Sequence, residues 1–243
     1  MVVADLDIHA VAILDDDENE AEAIAIQLED VGLESRLVRP DGLGLGACVE
    51  EMRERGDAAI CDHWLRRGLD VDFNGAQVAA ALNDLACPAI LLTSFLMDAG
   101  VTIRPHRPSV PSLLSRDEAE DTGQILEALA FTISERKHGR GPTRATYRVP
   151  VSIERVLRDE GKDVADGIVG SWRLEQAVRF PLSLLAEPWC TRPRDAEGRI
   201  FFAQVNIGAL RPEDLFFEAF EAGPAPERLV HGLFNVGEQR RTA

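Results

Sequence analysis

Residues 10–17 read Ala10-Val11-Ala12-Ile13-Leu14-Asp15-Asp16-Asp17, an apolar run that stops at three carboxylates. The same arrangement occurs twice more. Ala58-Ala59-Ile60-Cys61 runs into Asp62, and Ala89-Ile90-Leu91-Leu92 runs into Thr93-Ser94. Short, continuous apolar runs separated by helical patterns are what strands of a parallel sheet look like, because helices cover both of their faces. These stretches therefore predict an α/β sheet, and such sheets bind ligands beyond the carboxyl ends of their strands. The three polar stops converge there on one crevice. Its carboxylates can hold a divalent metal, and its hydroxyl can meet an anionic oxygen.

Working outward, Glu20–Val31 places Ala21, Ile24, Leu28 and Val31 on one helical face and stops at Gly32. Glu34–Val38 reads as a second strand and Leu43–Arg55 as a helix ending at Gly56. A long loop from Asp62 to Asn74 leads into a helix over Gly75–Leu85. Pro105 and Pro108 interrupt Met97–Ser109, where a fourth helix belongs. Val110–Leu114 reads as the fifth strand and Glu118–Arg136 as a long closing helix with Thr122, Ile125, Leu129 and Ile133 aligned. With a strand first and right-handed crossovers, the expectation is a doubly wound, five-stranded parallel sheet.

The remainder is different. Tyr147–Val156 alternates apolar and polar positions, and Val164–Trp172, Ala177–Leu185 and Arg199–Ile207 are further strand candidates, while Leu215–Phe220 fits strand or helix. This predicts a small β-rich domain, barrel-like and partly open. Charge breaks at the same place. Residues 1–139 hold 11 Lys/Arg against 27 Asp/Glu, which accounts for the whole net charge of −16, whereas residues 140–243 hold 15 of each. Together with the turn-rich Lys137-His138-Gly139-Arg140-Gly141-Pro142, this sets the expected domains at 1–138 and 146–243, joined by a linker at 139–145.

A chain this acidic without a basic stripe repels phosphate backbones, so no nucleic-acid partner is expected. No apolar run approaches the length of a membrane span and no signal-type segment opens the chain, so the expected setting is the cytoplasm. Cys48, Cys61, Cys87 and Cys190 show no CxxC pairing and read as reduced, structural thiols.

On these residues the stretch of roughly 8–137 resembles the receiver domain of two-component response regulators. Ile13-Leu14-Asp15-Asp16-Asp17 is similar to the acidic pair ending that family's first strand. Asp62 is similar to its phospho-acceptor, and Thr93, 31 positions further on, to its hydroxyl residue. Leu113-Leu114-Ser115-Arg116 lies where the family has its signalling lysine, so Arg116 stands in for Lys. The resemblance implies an aspartyl phosphate on Asp62, formed by nucleophilic attack of the carboxylate on phosphorus. It also implies Mg²⁺ held by Asp16 and Asp62, by Asp15 through water, and by the backbone carbonyl of Trp64, since Mg²⁺ prefers oxygen ligands. Thr93 and Arg116 would receive the phosphoryl oxygens. The implied partners are a sensor histidine kinase or phosphotransfer protein and an unidentified protein for the C-terminal domain. No turnover beyond phosphotransfer is implied, and a homodimer is left open.

The chain also departs from that pattern. Asp117 stands where a proline follows the lysine, Leu113 occupies the position of the switch aromatic, and the loop after Asp62 is longer than usual and lacks Met-Pro. These departures, with Arg116 and the interrupted fourth helix, support a second expectation: a pseudo-receiver that binds partners without being phosphorylated. A phosphatase reading of Asp15 and Asp17 lacks the threonine or valine, early lysine and cap it requires.

Simpler roles compete for several residues. Asp17 fits a helix N-cap, His63 an exposed loop residue, and Arg104, His106 and Arg107 a solvated loop. Trp172, Trp189 and Phe201-Phe202 fit the core of the second domain, whereas the Phe216-Phe217 pair favours a protein-interaction module.

Overall fold

The computed structural model describes residues 2–3, 6–65, 71–94, 100–159, 161–185 and 192–223. The chain divides into two compact units, Met1–Arg144 and Ala145–Ala243. The first opens with a small antiparallel pair, β1 (Val2–Val3) and β2 (Leu6–Asp7). There follow β3 (Ala10–Leu14), α1 (Glu18–Asp30), β4 (Glu34–Val38), α2 (Leu45–Arg55), β5 (Ala58–Asp62), α3 (Gly75–Asp84) and β6 (Ala89–Thr93). The unit closes with β7 (Leu113–Ser115), α4 (Arg116–Ala119) and α5 (Thr122–His138).

Strands β3 to β7 form one parallel sheet in the order β4-β3-β5-β6-β7. Counted from the first strand of this sheet that order is 2-1-3-4-5, the flavodoxin-like doubly wound arrangement. Side-chain alternation sorts its core into two layers. Ala12, Leu14, Ala59, Cys61, Leu91 and Leu113 face α2 and α3, while Val11, Ile13, Ala58, Ile60, Leu92 and Leu114 face α1 and α5. Burial raises the thiols of Cys48 to about 12 and Cys87 to about 11, which suits inert core residues.

Two expectations for this unit change in detail. The fifth strand is Leu113–Ser115 rather than Val110–Leu114. The closing helix is two helices, because Ser115 and Glu118 form a capping box at α4 and the Asp121 carboxylate accepts from Gly123 N to start α5 afresh. Between β6 and β7 the described residues hold no α-helix, only a 3₁₀ turn over Arg104–His106 with Pro105 in its first turn.

The second unit contains β8 (Tyr147–Asp159), β9 (Lys162–Val169), β10 (Val178–Pro181), β11 (Ile200–Val205) and β12 (Phe217–Ala222). They form an antiparallel sheet in the order β10-β9-β8-β11-β12. No closed barrel is detected. The outer strands β10 and β12 are not hydrogen-bonded to each other among the described residues. They meet through side chains instead: the ring centroid of Phe180 lies 4.7 Å from that of Phe217 and 5.6 Å from that of Phe220. Register shifts at Ile153/Arg155 and Phe202/Gln204 accommodate the curl. Apolar packing thus holds together edges that a barrel would join by a ladder. The strand expected to reach Leu185 stops at Pro181 and passes into a 3₁₀ turn, Leu182–Leu184.

Phe216 and Phe217 are both buried, Phe217 within this core, so the pair is not an exposed interaction feature. Phe201 is buried, whereas Phe202 lies on the other face with the Arg148 guanidinium 4.0 Å above its ring. Trp189 and Cys190 lie outside the described residues.

One glycine fixes the link between the loop after β5 and its strand. Gly75 opens α3 after the Asn74–Gln77 capping box and donates its N–H to the His63 carbonyl at 3.1 Å. A Cβ at Gly75 would stand 1.7 Å from the Asp62 carbonyl oxygen. The change Gly75→Ala should therefore lower stability by about 2 kcal/mol or more, read as a lower urea midpoint. An unchanged midpoint would contradict this packing.

Candidate functional site

The registers Leu14↔Cys61, Asp62↔Leu92 and Thr93↔Ser115 bring the carboxyl ends of four strands level. Asp15 follows β3, Asp62 ends β5, Ser94 follows β6 and Arg116 follows β7. Continuing the alternation of each strand puts all four on the α1 and α5 side of the sheet. They line an open cavity of about 540 Å³ with Asp16, Asp17, Trp64 and Ser115 on its wall.

Asp15 and Asp62 are each 5% exposed. Each carboxylate divides its oxygens in the same way. Asp15 accepts the Asp17 N–H on Oδ1 at 2.9 Å and Arg116 Nη2 on Oδ2 at 2.6 Å. Asp62 accepts the Trp64 N–H on Oδ2 at 2.9 Å and the same Arg116 nitrogen on Oδ1 at 2.5 Å. The other terminal nitrogen, Nη1, lies 3.7 Å from Glu20 Oε2. One guanidinium therefore bridges two buried carboxylates and faces a third acid at the surface.

Carboxylate oxygens of Asp15, Asp16 and Asp62 all lie within 4.8 Å of one another, which makes them a candidate ligand set for a divalent cation. Burial raises the Asp62 carboxyl to about 6, and the negative charge of Asp15 adds to this; Arg116 opposes both without cancelling them. Asp15 is raised for the same reason, burial outweighing the arginine. The pair is thus held ionised against the preference of its surroundings.

The sequence-predicted residues fare differently. Asp15, Asp16, Asp62 and Arg116 are brought together, and Trp64 lines the cavity. Thr93 is fully buried and is not among the lining residues. Its pairing with Ser115, one step beyond the Asp62–Leu92 level, turns its Cβ toward the α3 side, and Ser94 presents the hydroxyl on the cavity wall. Asp17 caps α1, accepting from Asn19 N and Glu20 N. Part of the long loop after Asp62, residues 66–70, lies outside the described residues.

Two expectations are overturned. His63 is not an exposed loop residue: it is fully buried, with Nε2 2.8 Å from Thr102 Oγ1. Arg104 and Arg107 do not belong to a solvated loop, being 3% and 1% exposed. The His63 partner, Thr102, stands 39 positions away, whereas Arg107 Nη1 donates to the nearby Val110 carbonyl.

No protein-family model matches the chain, and no curated protein is similar to it. Solved structures resemble it over its first half. One is the signal receiver domain of a modulated diguanylate cyclase from Desulfovibrio desulfuricans, 21% identical, covering 55% of this chain and 100% of that one with a TM-score of 0.43. A second is the N-terminal domain of a response regulator/sensory box/GGDEF three-domain protein from Carboxydothermus hydrogenoformans, at 22% identity, 53% and 98% coverage and a TM-score of 0.40. A third is a CheY-like response regulator receiver domain from Methylobacillus flagellatus, at 19% identity, 51% and 99% coverage and a TM-score of 0.39. The likeness is one of fold. The sheet order defines the class of fold: residues up to Arg144 form a flavodoxin-like, doubly wound α/β domain.

The ionisation of Asp62 has a measurable consequence. A rise from the usual 3.8 to about 6 is worth about 3 kcal/mol against the charged form. A raised carboxyl binds its proton more tightly in the folded state, so this cost is absent below the unfolded value and complete above pH 6. In metal-free buffer, Asp62→Asn should melt several degrees above the parent at pH 8, with the gap closing toward pH 4. A gap that is independent of pH would contradict the assignment.

Proposed function

We propose that this chain is a response-regulator-type protein of two-component signalling that is phosphorylated on Asp62. The observation that carries this reading is the convergence of Asp15, Asp16, Asp62 and Arg116 at the carboxyl ends of adjacent strands. An Asp62 carboxylate oxygen would attack phosphorus and form the P–O bond of an aspartyl phosphate. The bond to the donor breaks at the same centre, a P–N bond for the phosphohistidine of a sensor kinase or phosphotransfer protein. Asp15, Asp16, Asp62 and the Trp64 carbonyl are the groups that would hold Mg²⁺, which supplies charge neutralisation for the transferred phosphoryl group. Arg116 gives a second positive charge, and Ser94, with Thr93 behind it, supplies hydroxyl donors.

The second unit is proposed to act through protein contacts. Tyr147, Leu174 and Leu210 are its large exposed apolar residues among those described. No helix among the described residues is long and apolar enough to cross a membrane.

One observation favours the alternative, a receiver-type binding module that is not phosphorylated. The oxygens of Asp15 and Asp62 that the backbone leaves free are already occupied by a guanidinium, a planar fork that grips carboxylates more firmly than an ammonium does. The test is incubation with acetyl phosphate and Mg²⁺, followed by intact-mass measurement beside Asp62→Ala. Phosphorylation predicts a gain of about 80 Da, one phosphoryl group, that the variant lacks. A folded parent that gains nothing would select the binding module.

A further inference from the structure

The stretch from Gly100 to Val110, which replaces a fourth helix, is anchored at both ends by buried polar groups. At one end, Thr102 Oγ1 lies 2.8 Å from His63 Nε2. His63 follows Asp62 directly and is itself fixed on two sides: its N–H donates to the Leu92 carbonyl at 2.9 Å, and its carbonyl accepts from Gly75 N at 3.1 Å. At the other end stands Arg144, 3% exposed. Its Nη2 donates to the carbonyls of Arg107 at 2.8 Å and Pro108 at 3.1 Å. Its Nε is held by both oxygens of Glu135, at 3.0 and 2.8 Å, on the last turns of α5. Arg140 Nη2 adds a second donor to the Pro108 carbonyl at 3.1 Å, and Arg107 Nη1 donates within the stretch to the Val110 carbonyl.

Arg144 is the final residue of the first unit, and β8 begins at Tyr147. The Arg107 carbonyl also accepts from the Val110 N–H at 3.3 Å, and the guanidinium groups of Arg107, Arg140 and Arg144 add charge-assisted bonds to the carbonyls of Val110, Pro108 and Arg107. These bonds tie the stretch to the end of the unit.

We propose that residues 100–110 form a relay between the carboxylate site and the chain leaving the unit, entered through His63–Thr102 and left through Arg107, Pro108 and Arg144. As a means of reporting phosphorylation the relay rests on the function proposed above, but its mechanical coupling does not. Contiguous hydrogen-bonded packing transmits a perturbation only if the contacts at both ends respond to each other.

Amide hydrogen exchange on the full, unphosphorylated chain tests this. Thr102→Val keeps the side-chain shape and removes the hydroxyl. It should raise exchange about fivefold or more at residues 139–144 as well as at 103–110, with α1 unchanged. Thr102→Ser keeps the hydroxyl and should match the parent. Arg144→Gln should raise exchange at residues 61–64 in return, as reciprocal linkage requires. An effect of Thr102→Val confined to residues 100–104, or equal disturbance by Thr102→Ser, would overturn the relay. With acetyl phosphate and Mg²⁺, both parent and Thr102→Val should gain the phosphoryl mass, but only the parent should change its exchange at 139–144. Should neither gain it, the phosphorylation reading fails alone and the unphosphorylated comparison still decides the relay.

Discussion

Two carboxylates buried side by side at the ends of neighbouring strands cannot both remain ionised without a cation, and in this protein the chain supplies one. Asp15 and Asp62 sit on the paired strands β3 and β5, while Arg116 comes from beyond β7, at the sheet edge two strands further on. A single nitrogen bonds both acids, 101 and 54 positions away in sequence. Those bonds fasten the carboxyl ends of the sheet across β6. Burial makes the arrangement costly to build and more costly to break, because removing the arginine would leave two uncompensated charges in a poorly hydrated place.

The same interaction gives the site its chemical character. An arginine stays charged at every relevant pH and presents a rigid fork, whereas an ammonium is a compact, rotatable point charge. The bridge leaves Asp16 and the outward side of the cavity accessible, yet it occupies the oxygens of Asp15 and Asp62 that a divalent ion needs. Metal and guanidinium thus compete for the same ligands, with the backbone N–H groups of Asp17 and Trp64 holding the remaining oxygens in either case. A site of this kind is stable when empty, and any ion that enters must displace or share the arginine.

The parallel sheet and the positions of Asp15, Asp62 and Arg116 were readable in the sequence, because continuous apolar runs fix strands and a strand's end fixes where its next residue lies. The interruption of the fourth helix was readable for an equally local reason, the geometry of Pro105 and Pro108. The features that escaped all depend on partners distant in sequence. His63 is buried where Thr102 receives it, and Arg144 where the Arg107 and Pro108 carbonyls do. Phe217 looks like half of an exposed pair until Phe180, from the opposite edge strand, packs against it. Barrel closure was not legible either, since it turns on whether β10 and β12 bond to each other, which no alternation of residue types encodes. At finer grain, Thr93 is buried and Ser94, one residue on, lines the cavity, a distinction that depends on register.

Arg116 is the resident counter-ion of the site, and calorimetric titration of Mg²⁺ into the parent and Arg116→Gln tests this most directly. Removing a competing cation from three carboxylates should tighten Mg²⁺ binding about tenfold, equivalent to about 1.4 kcal/mol. Equal or weaker binding by the variant would show that the guanidinium does not hold the metal's place, and the account of the site would be wrong.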